Sequence, residues 1–465
     1  MKDHTKEKAL FESAPILQAI LTLAIPTVIG QIILVVYNIG DTFFIGMTGN
    51  DAMLTAVTIC MPAFMFLSAI SNLFGVGGSS VISRALGAGN AKRAGDTAAF
   101  AFCGCLITVF IYALSAWLFM DRFINLLGGS DIAVHAQARK YLLITVVLGG
   151  TFATMGTFFA HLVRSEGRSL HASIGIALGG ILNLILDPIF MFVLLPKGEE
   201  VMGAALATGL SNLISMCYFT AILRHNRSRS VLRLRFSREM FADGIPSSVF
   251  TCGLPACLMT LFENISYAML DNLIAVGGVA MQAGIGVAKK VNMLAHCMVR
   301  GMAQGVLPLI SYNFAANNHQ RMRRAVLIST GISIGLASIC MVVSLAFNRQ
   351  LVGLFIQNGS DSLYYSAHFL RILCIGGPFS ACAYAIISFF QAVGSGFKSF
   401  VIAILRKGVL DIPMMFLLNR IYPIYGIVWA TPIADILCCA AAICLFCAFL
   451  HKRIGYRVQL NPALN

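Results

Sequence analysis

Charged residues are scarce in this sequence. Asp, Glu, Lys and Arg make up 11% of its 465 residues, against about 25% in an ordinary soluble domain. Apolar residues make up 58%, and a soluble protein of that composition could not cover its surface with polar groups. Most of the chain must therefore face lipid or other helices. The composition predicts an integral membrane protein.

Tryptophan is almost absent, with two residues, and no basic stretch carries the interleaved aromatic side chains that stack on bases. The sequence also lacks a Ser/His/Asp grouping, an H-E-x-x-H or G-x-S-x-G motif and a phosphate-binding loop. These absences exclude nucleic acid as a partner, the common hydrolase types and direct use of ATP. We therefore expect a protein that is not an enzyme and that uses no cofactor.

Cysteine is missing from the predicted outer loops. All 14 cysteines lie inside apolar runs, so no disulfide framework is expected. Cys444-x-x-Cys447 has no second pair or histidine at ligand spacing, so no metal site is predicted there. The N-terminal stretch MKDHTKEKALFESAP is charged and has no small-residue cleavage site, so it is not predicted to be a removable signal peptide.

Long apolar runs occupy most of the chain. A membrane-spanning helix needs about 20 apolar residues, and twelve runs reach that length. They cover approximately 16–45, 53–82, 94–120, 134–162, 169–195, 202–223, 244–274, 279–312, 325–347, 362–392, 399–419 and 424–450. The sequence predicts an all-α, polytopic membrane protein with 12 transmembrane helices.

The distribution of basic residues predicts the orientation of these helices. Segments on one side of the membrane hold 21 Lys and Arg, the alternate loops hold 6, and 6 more lie within the spans. Because positive charge accumulates in cytoplasmic segments, we expect both termini in the cytoplasm and a multi-pass protein of the inner (plasma) membrane. The formal charge of +14 is then a feature of the surface that meets the lipid bilayer.

The chain repeats itself at a distance of about 228 residues. The matching segments are SRALGAGNAKRA (83–94) with SYNFAANNHQRM (311–322), LDP (186–188) with LDIP (410–413), and GAALAT (203–208) with GIVWAT (426–431).

Six predicted spans in each copy give both copies the same orientation, so the two repeats are parallel. Alternating-access carriers are built in this way, with the substrate site between the halves. We predict an N-terminal six-helix bundle over 1–223, a cytoplasmic basic linker over 224–240 and a C-terminal six-helix bundle over 241–465. One chain holds both bundles, and a monomer is expected.

Six segments, in order, resemble those of a known transporter family. They are YNIGDTFFIG (37–46), GGSSVISRALGAGN (77–90), LVRSEG (162–167), LNLILDPIF (182–190), QGVLPLISYNFAANN (304–318) and GIVWATPIAD (426–435). Through them the sequence resembles the multidrug and toxic compound extrusion (MATE) transporters, on the DinF-like rather than the NorM-like side. The resemblance implies twelve helices in two bundles that form a V, and export of drugs driven by Na⁺ or H⁺.

Two aspartates, Asp41 and Asp187, lie within spans of the first half. A charge at mid-membrane costs at least about 2.5–3.5 kcal/mol, and no Lys or Arg lies deep inside the first six runs, so the pair needs a cation or a proton. Asn183 precedes Asp187 by four residues and shares its helical face, and such oxygen ligands suit a hard cation. The resemblance places Asp41, Asn183, Asp187 and Thr208 at the family's cation-coupling site.

His161 departs from the family pattern. It stands just before the L-x-R-x-E-G segment, where relatives usually carry Asn. An imidazole at this position could replace Asn as a hydrogen-bond partner of Asp187, and it titrates near neutral pH, which would favour proton coupling. We therefore include His161 among the candidate coupling residues.

The second half is different because its acids are accompanied by bases. Span 7 carries Glu263, Tyr267 and Asp271 at helical spacing, and NorM-like relatives place a coupling acid where Glu263 stands. The matching span-10 acid of that branch is missing, and its run offers Gln391. The acids of these spans are Glu263, Asp271, Asp411 and Asp435, and the bases are Lys289, Lys290, Arg300, Arg371, Arg406 and Lys407. We expect salt bridges to satisfy most of these acids, and the excess of bases means that the substrate need not be a simple lipophilic cation.

The sequence thus predicts a secondary active efflux transporter that exports amphipathic small molecules by antiport with H⁺ or Na⁺. The alternative is a lipid-linked saccharide flippase of a related fold, which would be expected to have a large, hydrophilic, cation-rich central cavity. No substrate-binding residue is assigned.

Overall fold

The protein is almost entirely helical. A computed structural model describes residues 2–128, 131–228, 230–356 and 361–460; Arg229 of the predicted linker lies outside this part. Helices make up 88% of the described residues, and no strand occurs among them. The predicted all-α fold class is confirmed.

The first half is a succession of long apolar helices with two short π-helical stretches. Its elements are α1 (Lys2–Glu12), α2 (Ile16–Gly46), α3 (Asp51–Gly87), α4 (Ala91–Leu118), α5 (Met120–Leu126), α6 (Ile132–Leu142), a π-helix (Leu143–Leu148), α7 (Gly150–Ser165), α8 (Ser169–Ile189), a π-helix (Phe190–Leu194) and α9 (Glu200–His225).

The second half has the same character. A 3₁₀ turn (Arg238–Phe241) leads into α10 (Ile245–Ala275), α11 (Val279–Ala315), α12 (His319–Ala346), α13 (Asn348–Gly353), α14 (Asp361–Ile375), α15 (Gly377–Ala392), α16 (Gly396–Ile404), a π-helix (Leu405–Asp411), α17 (Ile412–Ile421) and α18 (Tyr425–Leu460).

The helices account for the predicted spans. In the described part of the chain, nine helices are long and apolar enough to cross a membrane, or eleven if each of two bent pairs is one span. α6 with its π-helix bends by 46° against α7, and α14 bends by 43° against α15. Both bends fall at a glycine pair, Gly149–Gly150 and Gly376–Gly377, where small residues permit a kink. The remaining predicted run, 399–419, is formed by α16, a π-helix and α17, and it carries buried charges.

The repeat is visible in the backbone as well as in the sequence. Asn90 accepts a hydrogen bond from Arg93 N (2.9 Å) at the start of α4, and Asn318 accepts one from Arg321 N (3.2 Å) at the start of α12. A side-chain oxygen at this position satisfies an N–H that the first turn of a helix leaves free. The preceding residues, Gly89 (φ +74°) and Asn317 (φ +58°), are both left-handed, a conformation that Gly and Asn tolerate best. The two matching segments, 83–94 and 311–322, therefore form the same turn between two helices, with the same N-cap hydrogen bond.

The chain divides into two compact units. The first comprises 1–264, 300–329 and 391–396, and the second comprises 265–299, 330–390 and 397–465. Apolar clusters around Phe158 and around Leu67 form the interior of the first unit, and a cluster around Phe369 forms that of the second. The domain boundary predicted from the repeat, 224–240, lies inside the first unit, and the division by repeat stays a prediction.

The short helix α1 is held within the first unit by contacts at Glu7 and at Phe11. Glu7 accepts a hydrogen bond from Arg168 Nε at 2.5 Å. The carbonyl oxygen of Phe11 accepts one from Arg321 Nε at 2.7 Å, and the Phe11 ring, 3% exposed, stacks on Tyr312 at 5.0 Å. α1 therefore contacts residues from both sequence repeats.

Candidate functional site

Asn183, Asp187 and Thr208 form a buried polar cluster where α8 packs on α9. Asn183 Nδ2 donates to Asp187 Oδ1 and to Thr208 Oγ1, at 3.2 Å each. The first contact exists because residues four apart share a helical face. Asp187 is 0% exposed, and the other two residues are almost as deeply buried. The structure therefore brings together three of the predicted coupling residues.

Asp41 completes the cluster from α2, which packs against α8. Its carboxyl lies within hydrogen-bonding reach of the Asp187 carboxyl. Two carboxylates can share such a contact only if one of them carries a proton or if a cation lies beside them. Neither acid has a basic partner among the described residues. The two aspartates of the first-half spans therefore lie side by side, and their binding of a coupling ion stays a prediction.

Three oxygens of this cluster accept no hydrogen bond from any residue that the structure describes. They are Asp41 Oδ1, Asn183 Oδ1 and Asp187 Oδ2. A buried polar atom without a partner is costly, and these three are of the type that a hard cation or a proton satisfies. The donor set therefore fits a monovalent cation or a proton. No group of three or more His, Cys, Asp or Glu in the described residues has the spacing to hold a metal ion.

A cavity of about 80 Å³ adjoins the cluster in the first unit. A buried water needs roughly 10–15 Å³ of such volume, so several waters fit. Besides Asn183 and Thr208, its polar wall residues are Tyr37, Ser68, Thr157, Ser211, Asn212 and Ser215. The cavity thus reaches the cluster at Asn183 and Thr208, and apolar side chains such as Leu34 and Leu67 form the rest of its wall.

His161 does not join this cluster. It is buried, and its Nδ1 lies 3.5 Å from an Nη of Arg164, so the predicted bond to Asp187 is wrong. His161 stands four residues before the end of α7, whereas Asp187 stands eighteen residues past the start of α8. Because the two helices are antiparallel neighbours, a rise of about 1.5 Å per residue separates the two side chains by roughly 20 Å along the helices.

Glu166, in the turn after α7, is a buried group that the sequence interpretation missed. Its Oε1 accepts hydrogen bonds from Ser230 Oγ (2.7 Å) and Val231 N (2.8 Å), so it anchors the chain of the predicted linker. Burial raises the pKa of the Glu166 carboxyl, although these bonds act against that shift. The L-x-R-x-E-G motif was the available signal, because a carboxylate in a turn next to a long loop is suited to bind backbone N–H groups.

Each of the four acids within the second-half spans has a basic partner. Glu263 accepts from Arg300 Nη2 at 2.6 Å in the first unit. In the second unit the pairs are Asp271 with Lys289, Asp411 with Lys407 (2.6 Å) and Asp435 with Arg406 (2.7 Å). The expected salt bridges are present. Lys289, on the helix that follows span 7, is the partner of Asp271.

Tyr267 belongs to the charged network of the second unit. Its ring centroid lies 5.5 Å from Lys289 Nζ and 5.4 Å from Lys407 Nζ, within the range of a cation–π contact. Of the three span-7 candidates, Tyr267 and Asp271 therefore lie in this network, whereas Glu263 is part of the first unit.

Known proteins share both the sequence and the fold of this chain. The MatE family profile matches residues 26–189 and 254–417. The Multidrug export protein MepA of Staphylococcus saprophyticus is 28% identical over 443 residues, covering 95% of this chain and 96% of that protein. The Staphylococcus aureus protein of the same name is also 28% identical, over 451 residues, with 95% and 96% covered.

Solved structures show the same architecture. A MATE in complex with MaL6 superposes with a TM-score of 0.86 at 24% identity, covering 96% of this chain and 97% of that one. A mutant of the Vibrio cholerae MATE transporter VcmN gives a TM-score of 0.85 at 22% identity, covering 96% and 98%. The fold likeness extends over nearly the whole chain, and the family profile occurs once in each half. The protein is therefore a polytopic membrane protein of the MatE family, the multidrug and toxic compound extrusion transporters.

Proposed function

We propose that this protein exports amphipathic small molecules by antiport with H⁺ or Na⁺, and that Asp41 and Asp187 hold the coupling ion. The observation that carries the proposal is the contact between the buried Asp187 carboxyl and the half-buried Asp41 carboxyl, with no basic partner for either among the described residues. Two carboxylates in such surroundings repel each other unless a cation or a proton lies between them. Binding or release of the ion therefore changes the electrostatic energy of the packing between α2 and α8.

Asn183 and Thr208 position Asp187 for this role. The Asn183 amide holds one carboxylate oxygen of Asp187 at 3.2 Å and leaves the other without a partner. The ion then meets a preformed oxygen site, and the adjoining cavity of about 80 Å³ supports exchange of that ion with water. Such oxygen-lined sites within spans are where secondary transporters bind coupling ions.

The substrate class is supported by the relatives, which are multidrug export proteins and favour drug export over saccharide-lipid flipping. The orientation is supported by the 21-to-6 bias of basic residues, which places both termini in the cytoplasm. Ion binding stabilises one arrangement of the helices and substrate the other, so an inward ion gradient drives outward transport.

Efflux from proteoliposomes under separately imposed gradients tests the proposal. Vesicles loaded with ethidium receive a pH gradient, a Na⁺ gradient, both or neither, at clamped membrane potential. We expect efflux with at least one gradient, none without a gradient, and loss of the response in Asp187→Asn. Efflux that ignores both gradients, or that survives in both Asp41→Asn and Asp187→Asn, contradicts the proposal.

A further inference from the structure

The second repeat contains a counterpart of the Asp187 cluster. The LDP/LDIP match aligns Asp187 with Asp411, and the GAALAT/GIVWAT match aligns Thr208 with Thr431. Four residues before each aspartate the repeats differ, because Asn183 is replaced by Lys407. The family profile covers Asp187 in its first copy and Asp411 in its second, and the two segment matches pair these aspartates with each other.

The two aspartates have different partners. Asp187 accepts one bond from an amide, at 3.2 Å, and its Oδ2 has no partner in the described residues. Asp411 has both oxygens satisfied: Oδ2 by Lys407 Nζ (2.6 Å) and Ser266 Oγ (2.6 Å), and Oδ1 by Thr431 Oγ1 (3.0 Å). The first cluster lacks a positive charge, whereas the second contains one.

The charged groups around Asp411 are themselves paired. On its own helix, Arg406 bonds Asp435 of α18 at 2.7 Å. On α10 and α11, Asp271 pairs with Lys289, and the Tyr267 ring faces Lys407. Lys407 and Asp411 are 2% and 0% exposed. A buried carboxylate and ammonium at this distance stabilise each other, and the loss of either leaves an uncompensated charge.

We propose that the Lys407 ammonium is a tethered counter-ion, which takes at Asp411 the place that the coupling ion takes at Asp187. The second repeat thus carries a copy of the ion site that is permanently filled by its own side chain, so only the first repeat couples transport to a gradient. Lys407 is then the residue that sets the number of ions moved per substrate. The inference rests on the proposed antiport and specifies its stoichiometry.

Removing the tethered charge should open the second site. Lys407→Asn restores the Asn-x-x-x-Asp pattern of the first repeat and leaves Asp411 without a cation. Asp411 then needs an external proton or ion, and each transport cycle carries one more. For a proton-driven carrier, each proton that moves down one unit of ΔpH releases about 1.4 kcal/mol, which corresponds to a factor of ten in a concentration ratio. One additional proton per cycle therefore multiplies the accumulation ratio by roughly ten for each unit of ΔpH.

The test measures the ethidium accumulation ratio at zero net flux against the gradient of the driving ion, in proteoliposomes at zero membrane potential. We expect the slope of the logarithmic plot to rise by one in Lys407→Asn and to return to the wild-type value in Lys407→Asn/Asp411→Asn. An unchanged slope in Lys407→Asn with active wild type overturns the inference. Absence of gradient-driven accumulation in the wild type contradicts the proposed antiport instead.

The double variant decides the matter if Lys407→Asn alone does not insert, because its neutral pair mimics a filled site. Wild-type slope and rate in the double variant support the tethered counter-ion. Loss of gradient-driven accumulation in an inserted double variant overturns it, because the Asp411–Lys407 pair would then take part in coupling.

Discussion

The carboxyl of Asp41, on α2, meets the carboxyl of Asp187, on α8, within hydrogen-bonding reach. Since both groups are acceptors when ionised, the contact exists only with a shared proton or an intervening cation. The packing of α2 on α8 therefore depends on whether a proton or a cation occupies this site. An ion gradient across the membrane changes that occupancy.

Asp41→Asn and Asp187→Asn should each reduce gradient-driven efflux to passive leak, while insertion is retained. The amide removes the repulsion that ion binding relieves, and a neutral side chain is cheaper to place in the membrane by up to about 2.5–3.5 kcal/mol. Vesicle efflux at matched protein content measures the effect. Asp121→Asn, the same change at an exposed acid, serves as the control and should transport normally.

Asn183→Lys should silence transport by the mechanism that we assign to Lys407. An ammonium four residues before Asp187 would neutralise that carboxylate and compete with the coupling ion. Asn183→Gln keeps an amide and should retain part of the activity. Wild-type efflux in Asn183→Lys would show that Asp187 does not need to exchange its cation.

Glu263→Gln should weaken efflux less than Asp187→Asn does. Glu263 is satisfied by Arg300 at 2.6 Å, so its charge does not depend on an ion. Replacing it removes a charge-assisted bond, at a cost of about 1–3 kcal/mol in stability, but leaves the Asp41–Asp187 pair intact. Glu263→Gln/Arg300→Gln, which removes both charges, is the matched control. An inactive Glu263→Gln beside an active Asp187→Asn would place coupling at Glu263.

The contribution of Glu166 to the free energy of unfolding should decrease as the pH rises. Burial raises its folded-state pKa above the unfolded value, so the protonated carboxyl favours folding. That stabilisation is complete below the ordinary Glu pKa of about 4.3 and is lost as the pH rises through the folded-state pKa. Glu166→Gln should flatten the melting temperature against pH in detergent, whereas Glu239→Gln, at an exposed ion pair, should not. Identical pH profiles for wild type and Glu166→Gln would contradict this role.

The predicted orientation can be read by labelling single cysteines on a background without the native ones. Ser228→Cys should react with an impermeant maleimide only from the cytoplasmic side, and Lys197→Cys only from outside. Both native residues are exposed, so accessibility depends on the side of the membrane. Labelling of position 228 in intact cells would reverse the topology.

Sequence periodicity predicted the helices well because hydropathy reports burial in lipid. The first run, 16–45, became Ile16–Gly46, and the Asn183–Asp187 contact followed from spacing alone. The bends at Gly149–Gly150 and Gly376–Gly377 were not predicted, since hydropathy is blind to helix direction. His161 was misplaced although its depth could have been counted from the 166–168 turn. The pairing of Glu263 with Arg300, and of Asp271 with Lys289, could not be predicted, because it depends on how the helices pack.

α1 has a consequence for how this molecule can be watched at work. The two repeats each supply a turn that binds this helix, which precedes the first repeat. α1 is held by Arg168 of one copy and by Tyr312 and Arg321 of the other. α1 keeps all these contacts only while the distance between the α7–α8 turn and the α11–α12 turn stays unchanged. A fluorophore attached to α1 would therefore report a change in the distance between the turn at Arg168 and the turn at 311–322, without any label at the proposed ion site.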